Sequence, residues 1–167
     1  MNIKKKRGMF DVGAKPDSYR TARALAVLSI KSNTAVLIRR GKSPKGNIVE
    51  AAKIAATSGA KKTSDLIPYC HPIPIDHIEV QVSIKSKAIE IDVKVKSIWK
   101  TGVEMEALTG ACIGALTVYD MLKPIDDSLL ISSVRLVEKS GGMGGFAIEQ
   151  GNRIRAGVIV VSDSVAA

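Results

Sequence analysis

Two short runs of strict alternation leave this chain little freedom of architecture. In "HIEVQVSI", residues 77–84, Ile78, Val80, Val82 and Ile84 fall on one side, and in "AIEIDVKVKSI", residues 88–98, Ile89, Ile91, Val93 and Val95 do the same. A period of two places each apolar set on a single face of a strand. The link between them, "KSK", is short and polar, so the runs predict an antiparallel hairpin with one half-buried face.

The flanking segments supply what that face needs. Residues 20–31, "RTARALAVLSIK", read as a strand with Leu25 and Val27 on one face and Ala24 and Ala26 on the other, although a helix fits nearly as well. Residues 32–41 predict a short helix with Ser32 or Asn33 as N-cap and Gly41 as its stop. Residues 46–67 predict an alanine-rich helix whose narrow face holds Ile48, Ala51, Ala52, Ala55 and Gly59, ended by the proline segment that follows. A long helix is expected over 101–122, where Ala107, Gly110, Ala111, Gly114 and Val118 track one face and let a neighbour's backbone come close. Residues 129–138, "LLISSVRLVE", read as a last strand. The order is β, α in two pieces, β, β, α, β. This predicts an α+β, ferredoxin-like βαββαβ fold, a four-stranded antiparallel sheet with helices on one face. The open face still carries apolar residues, which predicts cover by a partner subunit.

Composition narrows the function. Hydrophobic residues make up 46% of the 167 and aromatics only 4%, so a single core must be built from Val, Ile, Leu and Ala. No stretch reaches the ~18 uninterrupted apolar residues of a membrane span. The basic start "MNIKKKRGMF" lacks the apolar segment of a secretory signal, and a cytoplasmic location is expected. Cys70 and Cys112 are then expected as free thiols. Neither they nor His71 and His77 form the ligand cluster of a structural zinc site, which leaves only a catalytic metal open. A net charge of +9 favours an anionic partner, nucleic acid or a polyphosphate small molecule. A βαββαβ domain with excess positive charge also describes an RNA-recognition module. Such modules stack bases on aromatic side chains of the central strands, which the two alternating runs lack before Trp99, so no nucleic-acid partner is expected.

Several residues stand where chemistry is possible. In "KTGVEMEALTG", Thr101 and Glu104 have the spacing of a capping box, while Glu106 resists that account. Glu104 and Glu106 bracketing Met105 could bind cationic or amide edges of a ligand. In "YDMLKP", Asp120 and Lys123 lie one helical turn apart, either as a surface ion pair or as an acid–base pair in a cleft. Asp120 would need burial or neighbouring carboxylates to rise from an ordinary ~3.9, a shift that Lys123 opposes; Lys123, desolvated among cations, could itself fall towards neutrality. "RRGKSPKGN" brings Arg39, Arg40, Lys42 and Lys45 to the start of a helix, where backbone N–H groups attract phosphate. "EKSGGMGGF" puts Lys139 beside glycines that let the backbone lie against a ligand. Either could equally be a solvated loop. In "DLIPYCHPIPI", Pro68, Pro72 and Pro74 stiffen the chain around Cys70 and His71. Neighbours in an extended segment point apart, so His71 is badly placed to activate Cys70, and a wall of a pocket fits better than a thiol nucleophile.

Taken together, "DVGAKPDSYRTARA", "KGNIVEAAKIA", "KKTSDLIPYCHPIPI", "KTGVEMEALTGACIGALTVYDMLK" and "VRLVEKSGG" resemble the molybdenum cofactor biosynthesis protein C family, the cyclic pyranopterin monophosphate synthases. The resemblance runs from about Asp11 to Gly142. It implies a homohexamer, a trimer of dimers, with sites between subunits. It also implies conversion of a cyclic dihydroguanosine triphosphate to cyclic pyranopterin monophosphate with loss of pyrophosphate. By resemblance, Asp120 and Lys123 are the catalytic pair. Tyr69, Cys70, His71, Met105, Glu106 and Glu104 contact the substrate, and Lys45, Lys139 and Arg20 complete the pocket. Tyr69 stands where such sequences often have leucine. No cofactor is implied as required, with Mg²⁺ beside the triphosphate left open. Residues 1–10 are expected as a basic arm and 11–150 as the synthase domain. In 151–167, a linker leads into "IRAGVIVVSDSVAA", which resembles the opening strand of a molybdopterin adenylyltransferase-like domain and suggests a truncated fusion.

Overall fold

The computed structural model describes residues 8–142 and 145–147. The basic run Lys4 to Arg7 and the tail expected to open an adenylyltransferase-like domain lie outside the described residues. The elements are β1 (Ser18–Ser29), α1 (Ser32–Arg39), α2 (Ile48–Lys61), α3 (Thr63–Leu66), β2 (His77–Ile84), β3 (Ala88–Trp99), α4 (Glu104–Leu122), β4 (Leu130–Ser140) and β5 (Phe146–Ala147). The sheet order is β2-β3-β1-β4-β5, with every pair antiparallel. This is the expected α+β, ferredoxin-like arrangement, with one addition. A two-residue fifth strand pairs Phe146 with Lys139 and Ala147 with Glu138 beyond the predicted edge.

The hairpin forms as its alternation dictates, with Ile78 opposite Val95 and Val82 opposite Ile91. β1 resolves its strand-or-helix ambiguity in favour of the strand because it is the centre of the sheet, paired on both sides. Its inward residues Ala22, Ala24, Ala26 and Leu28 lie opposite Val95, Val93, Ile91 and Ile89 of β3. All eight are buried. Small side chains on the central strand leave room for a helix to settle close to the sheet, and α4 does so, packing on β1, β3 and β4 while α2 packs on β2.

The two long helices meet through their glycines. A Cβ at Gly110 would lie 2.9 Å from the Ala56 carbonyl oxygen, and one at Gly59 would lie 2.8 Å from the Ile113 Cβ. The small-residue face of α4 is buried as expected. On α2 the buried set is Ile48, Ala52, Ala56, Gly59 and Ala60, so Ala51 and Ala55 sit at its flank rather than its centre. The predicted single helix over 46–67 breaks at Lys62 into α2 and α3. The Thr63 hydroxyl donates back to the Gly59 and Ala60 carbonyls, at 3.3 and 2.9 Å, and closes the last turn of α2.

Neither Ser32 nor Asn33 caps α1. The cap position is Lys31, which makes no side-chain cap bond. The start of the helix is held from across the molecule by buried Asp126. Its carboxylate accepts from the Lys31 backbone N–H at 2.8 Å and the Thr34 hydroxyl at 2.7 Å, and also from the N–H and hydroxyl of Ser128. Burial alone would raise this carboxyl, but the four donors outweigh it and hold it down to about 2. Gly41, with φ of 68°, stops the helix as expected.

The open face of the sheet departs from expectation, being mostly charged. Arg23 makes a bidentate bond to Asp92 across strands, with Nη2 to Oδ2 at 2.5 Å, and Glu79, Gln81 and Lys94 surround the pair. Leu25, on the same face of β1, is buried among its neighbours, and Tyr19 with Ile98 form a small apolar spot at one end. The predicted apolar reason for a partner on this face is therefore weak. No helix among the described residues is long and apolar enough to cross a membrane.

Two outcomes test this packing. Gly110→Ala should lower stability by about 1–3 kcal/mol in chemical denaturation, although a helical Gly→Ala change elsewhere gains up to ~1 kcal/mol. Asp126 is held below its unfolded value of ~3.9, so its contribution is present above about pH 4 and lost as pH falls towards 2. Asp126→Asn should cost on the order of 2 kcal/mol at pH 7, with the gap from the natural chain closing across that acid range.

Candidate active site

The proline segment crosses the start of α4 and forms a cleft with it. Tyr69, Cys70 and His71 make one wall, and Glu104, Met105 and Glu106 make the other, in a cavity of about 390 Å³. Six of the expected substrate-contact residues thus converge. The segment is held in place by backbone anchors. The Ser97 hydroxyl donates to the Pro74 carbonyl at 2.6 Å, and the Cys70 N–H donates to the Ile67 carbonyl at 3.0 Å.

Further lining comes from residues to which sequence reasoning assigned no site role: Phe10, Val12, Lys15, Ile73, Thr101 and Gly102. Phe10 was counted with the basic arm, yet its carbonyl oxygen lies 2.8 Å from His71 Nε2. Lys100 Nζ ties down the same N-terminal segment by donating to the Gly13 carbonyl at 2.9 Å. The available signal was the quoted motif "DVGAKPDSYRTARA", whose start runs into this contact.

The carboxylates at the head of α4 have different fates. The capping box does not form: the cap residue is Val103, without a side-chain cap bond. The Glu104 side chain instead folds over Gly102, where a Cβ would overlap its carboxylate, and meets Lys139 Nζ at 3.1 Å. Glu106 turns inwards and is 3% exposed, with Oε2 lacking any hydrogen-bond partner among the described residues. Burial, reinforced by the charge of Glu104 and opposed by a backbone hydrogen bond, pushes its carboxyl up to about 7. Burial likewise raises the Cys70 thiol, with the Glu106 charge adding to it, so Cys70 is not an activated nucleophile.

Arg20 and Lys139 stand beside this cleft. Arg20 Nε donates to the Trp99 carbonyl at 3.4 Å. The glycines after Lys139 were expected to approach a ligand. In the free chain Gly141, with φ of 92°, presses on the Tyr19 carbonyl, and Gly142 leaves space filled by the Arg20 guanidinium. They cradle a side chain of the protein itself.

A second cluster forms at the other end of α4. Asp120 accepts from Lys45 Nζ at 2.7 Å and pairs with Lys123 Nζ at 2.8 Å. The group is solvent-exposed, and the two ammoniums, Lys123 first, hold Asp120 down to about 2. Asp120 in turn raises Lys123, so the expected fall of Lys123 towards neutrality does not occur in the free chain. The phosphate-cradle reading of "RRGKSPKGN" also changes. The Asn47 side chain accepts from the Val49 and Glu50 N–H groups at 3.1 and 3.2 Å, so those helix-start donors are already engaged. Lys45 remains the cation of that loop directed at Asp120.

One chain does not bring the two clusters together. Glu106 and Asp120 are fourteen residues apart on a single helix, about 21 Å at ~1.5 Å per residue. The cleft has a wall and an acid but not the Asp120–Lys123 pair, and the pair has cations but no cleft.

Comparison with known proteins agrees with this constellation. The MoaC family model matches residues 9–142. A cyclic pyranopterin monophosphate synthase from Thermomicrobium roseum is 42% identical over 139 residues, covering 82% of this chain and 84% of that relative. One from Natranaerobius thermophilus is 43% identical over 142 residues, covering 84% of this chain and 89% of the relative. One from Aquifex aeolicus is 46% identical over 132 residues, covering 79% of this chain but only 52% of the relative. With the match spanning the whole sheet core, both long helices and both clusters of α4, the chain belongs to the MoaC family.

Proposed function

We propose that this chain converts (8S)-3',8-cyclo-7,8-dihydroguanosine 5'-triphosphate to cyclic pyranopterin monophosphate with release of pyrophosphate, an early step of molybdenum cofactor biosynthesis in the cytoplasm. The observation that carries this reading is the family match over 9–142, with curated relatives named for that activity. The cleft and the cationic cluster support it, since a polyphosphate needs cations and a ring rearrangement needs proton donors and acceptors. The two alternating strands carry no aromatic side chain before Trp99 on which bases could stack, and no nucleic-acid partner is included.

Asp120 and Lys123 act as the catalytic pair. In the free chain each is quenched by the other, with Lys45 as a third member. An incoming triphosphate competes for both lysines, and loss of either partner moves Asp120 back towards the ordinary carboxylate range. Substrate binding thereby converts a surface ion pair into a working acid and base. His71, Lys139 and Arg20 hold anionic or polar edges of the substrate, while Tyr69, Cys70 and Met105 with Glu104 and Glu106 shape the wall. Cations gathered there stabilise the charge that develops on departing pyrophosphate. No resident cofactor is required; any Mg²⁺ enters with the triphosphate as part of the substrate.

The gap of about 21 Å between the two ends of α4 supports sites shared between copies of the chain. We assign the Asp120 end to one subunit and the cleft end to its neighbour, within a homohexamer built as a trimer of dimers.

Adding the cyclic triphosphate should release pyrophosphate and cyclic pyranopterin monophosphate in equal amounts. Lys123→Ala should lower kcat at least ~10²-fold while the protein stays folded and assembled. Turnover at the natural rate by that variant would remove Lys123 from the chemistry. Mixing Lys123→Ala subunits with His71→Ala subunits should restore part of the activity that each lacks alone, since some sites then combine two intact halves. A mixture as inactive as its components, despite verified subunit exchange, would place both clusters of one site on the same chain.

A further inference from the structure

Two cavities meet at one side chain. Behind the substrate cleft lies a smaller cavity of about 120 Å³, between the end of α2, α3 and the proline segment. Its walls include Lys61, Ser64, Pro72 and Ile75, and Glu106 and Ile73 belong to both cavities. The space is large enough for several waters and has polar walls to hold them.

Glu106 is the group such an arrangement would serve. Its carboxyl is almost wholly buried, and Oε2 finds no partner among the described residues. A buried carboxyl oxygen without a protein partner calls for water, a ligand or a proton of its own. Its surroundings are mixed: Glu104 on its own helix, Cys70 and His71 on the proline segment, Lys15 on the N-terminal segment, and Lys61 on the wall of the rear cavity. Glu104 is itself paired with Lys139, which limits its repulsion of Glu106.

We propose that Glu106 carries protons between the substrate cleft and solvent by way of the rear cavity. This rests on the reading of the cleft as the substrate site. Closing a cyclic phosphate with loss of pyrophosphate forms one O–P bond, breaks another and leaves one hydroxyl proton to be removed. The Glu106 carboxylate takes that proton as an O–H and then yields it to water in the rear cavity, returning to its starting state. No electron changes hands, and the proton leaves on the side that bound substrate does not block. With burial setting its carboxyl at about 7, Glu106 can both accept and release a proton near neutrality.

The test separates this path from the synthase reading. Infrared difference spectra between the natural chain and Glu106→Gln isolate the Glu106 carboxyl band without any substrate. The band should be present below about pH 6 and vanish above about pH 8. Ser64→Leu fills the rear cavity from a wall that does not line the cleft. It should slow deuterium exchange at that carboxyl severalfold and lower kcat severalfold with KM unchanged, while Ser64→Ala behaves like the natural chain. Ile75→Phe narrows the same cavity from another wall and serves if Ser64→Leu does not fold. Unchanged exchange in the plugged variant, or no titrating band in the natural chain, overturns the proposal. Absence of turnover by the natural chain would sink the synthase reading, and the exchange measurement would still decide the path.

Discussion

The backbone contact between α2 and α4 is the constraint from which the site geometry follows. Gly59 and Gly110 let the helices approach more closely than a side chain at those positions would allow, and a Cβ at Gly114 would press at 3.2 Å on the Ala56 Cβ. Close approach keeps the helical layer compact over β1, where alanines leave the necessary depth. α4 is thereby fixed as one continuous rod across the sheet, with one end at the proline segment and the other at the Lys45 loop. Side chains in a packed layer cannot slide by fractions of a turn. The rod sets which residues reach the cleft and which reach the opposite cluster.

Three carboxyl groups show how one fold produces three electrostatic outcomes from the same chemistry. Asp126 is buried but surrounded by four donors, and it stays ionised as the tie between α1 and the turn after α4. Glu106 is equally buried with one oxygen unpartnered, and it is pushed towards neutrality. Asp120 is exposed between two ammoniums and is held down by them. Burial alone therefore predicts nothing; the count of donors around a carboxylate decides the sign. Stability draws on the first arrangement, and proton chemistry on the other two.

What could be read in the sequence was whatever repeats locally. The hairpin, the small-residue stripe of α4 and the Asp120–Lys123 spacing are patterns of two, three or four residues, and each appears as expected. Gly41 stops α1 because a positive φ is a property of one residue. Long-range partners left no such mark. Asp126 reaches Lys31 and Thr34 over more than ninety residues of chain, so the cap of α1 was assigned to the wrong side chains. Glu104 had the capping-box spacing but found Lys139 thirty-five residues away, and the competing ion pair won. The open sheet face was misjudged because alternation shows that one face is apolar but says little about salt links such as Arg23–Asp92 on the other. Spacing singled out Asp120 with Lys123 and Glu104 with Glu106 as candidates, the family resemblance gave them their roles, and the helix expected over 101–122 already set Glu106 and Asp120 far apart.

The bond between His71 and Phe10 fixes more than the position of an N-terminal strand of chain. A carbonyl oxygen can only accept, so Nε2 must carry the hydrogen, and in a neutral imidazole Nδ1 is then left with a lone pair. While the segment stays in place, the ring thus offers a ligand an acceptor rather than a donor. The tautomer of a cleft histidine is in this way selected by a backbone atom sixty-one residues earlier in the chain.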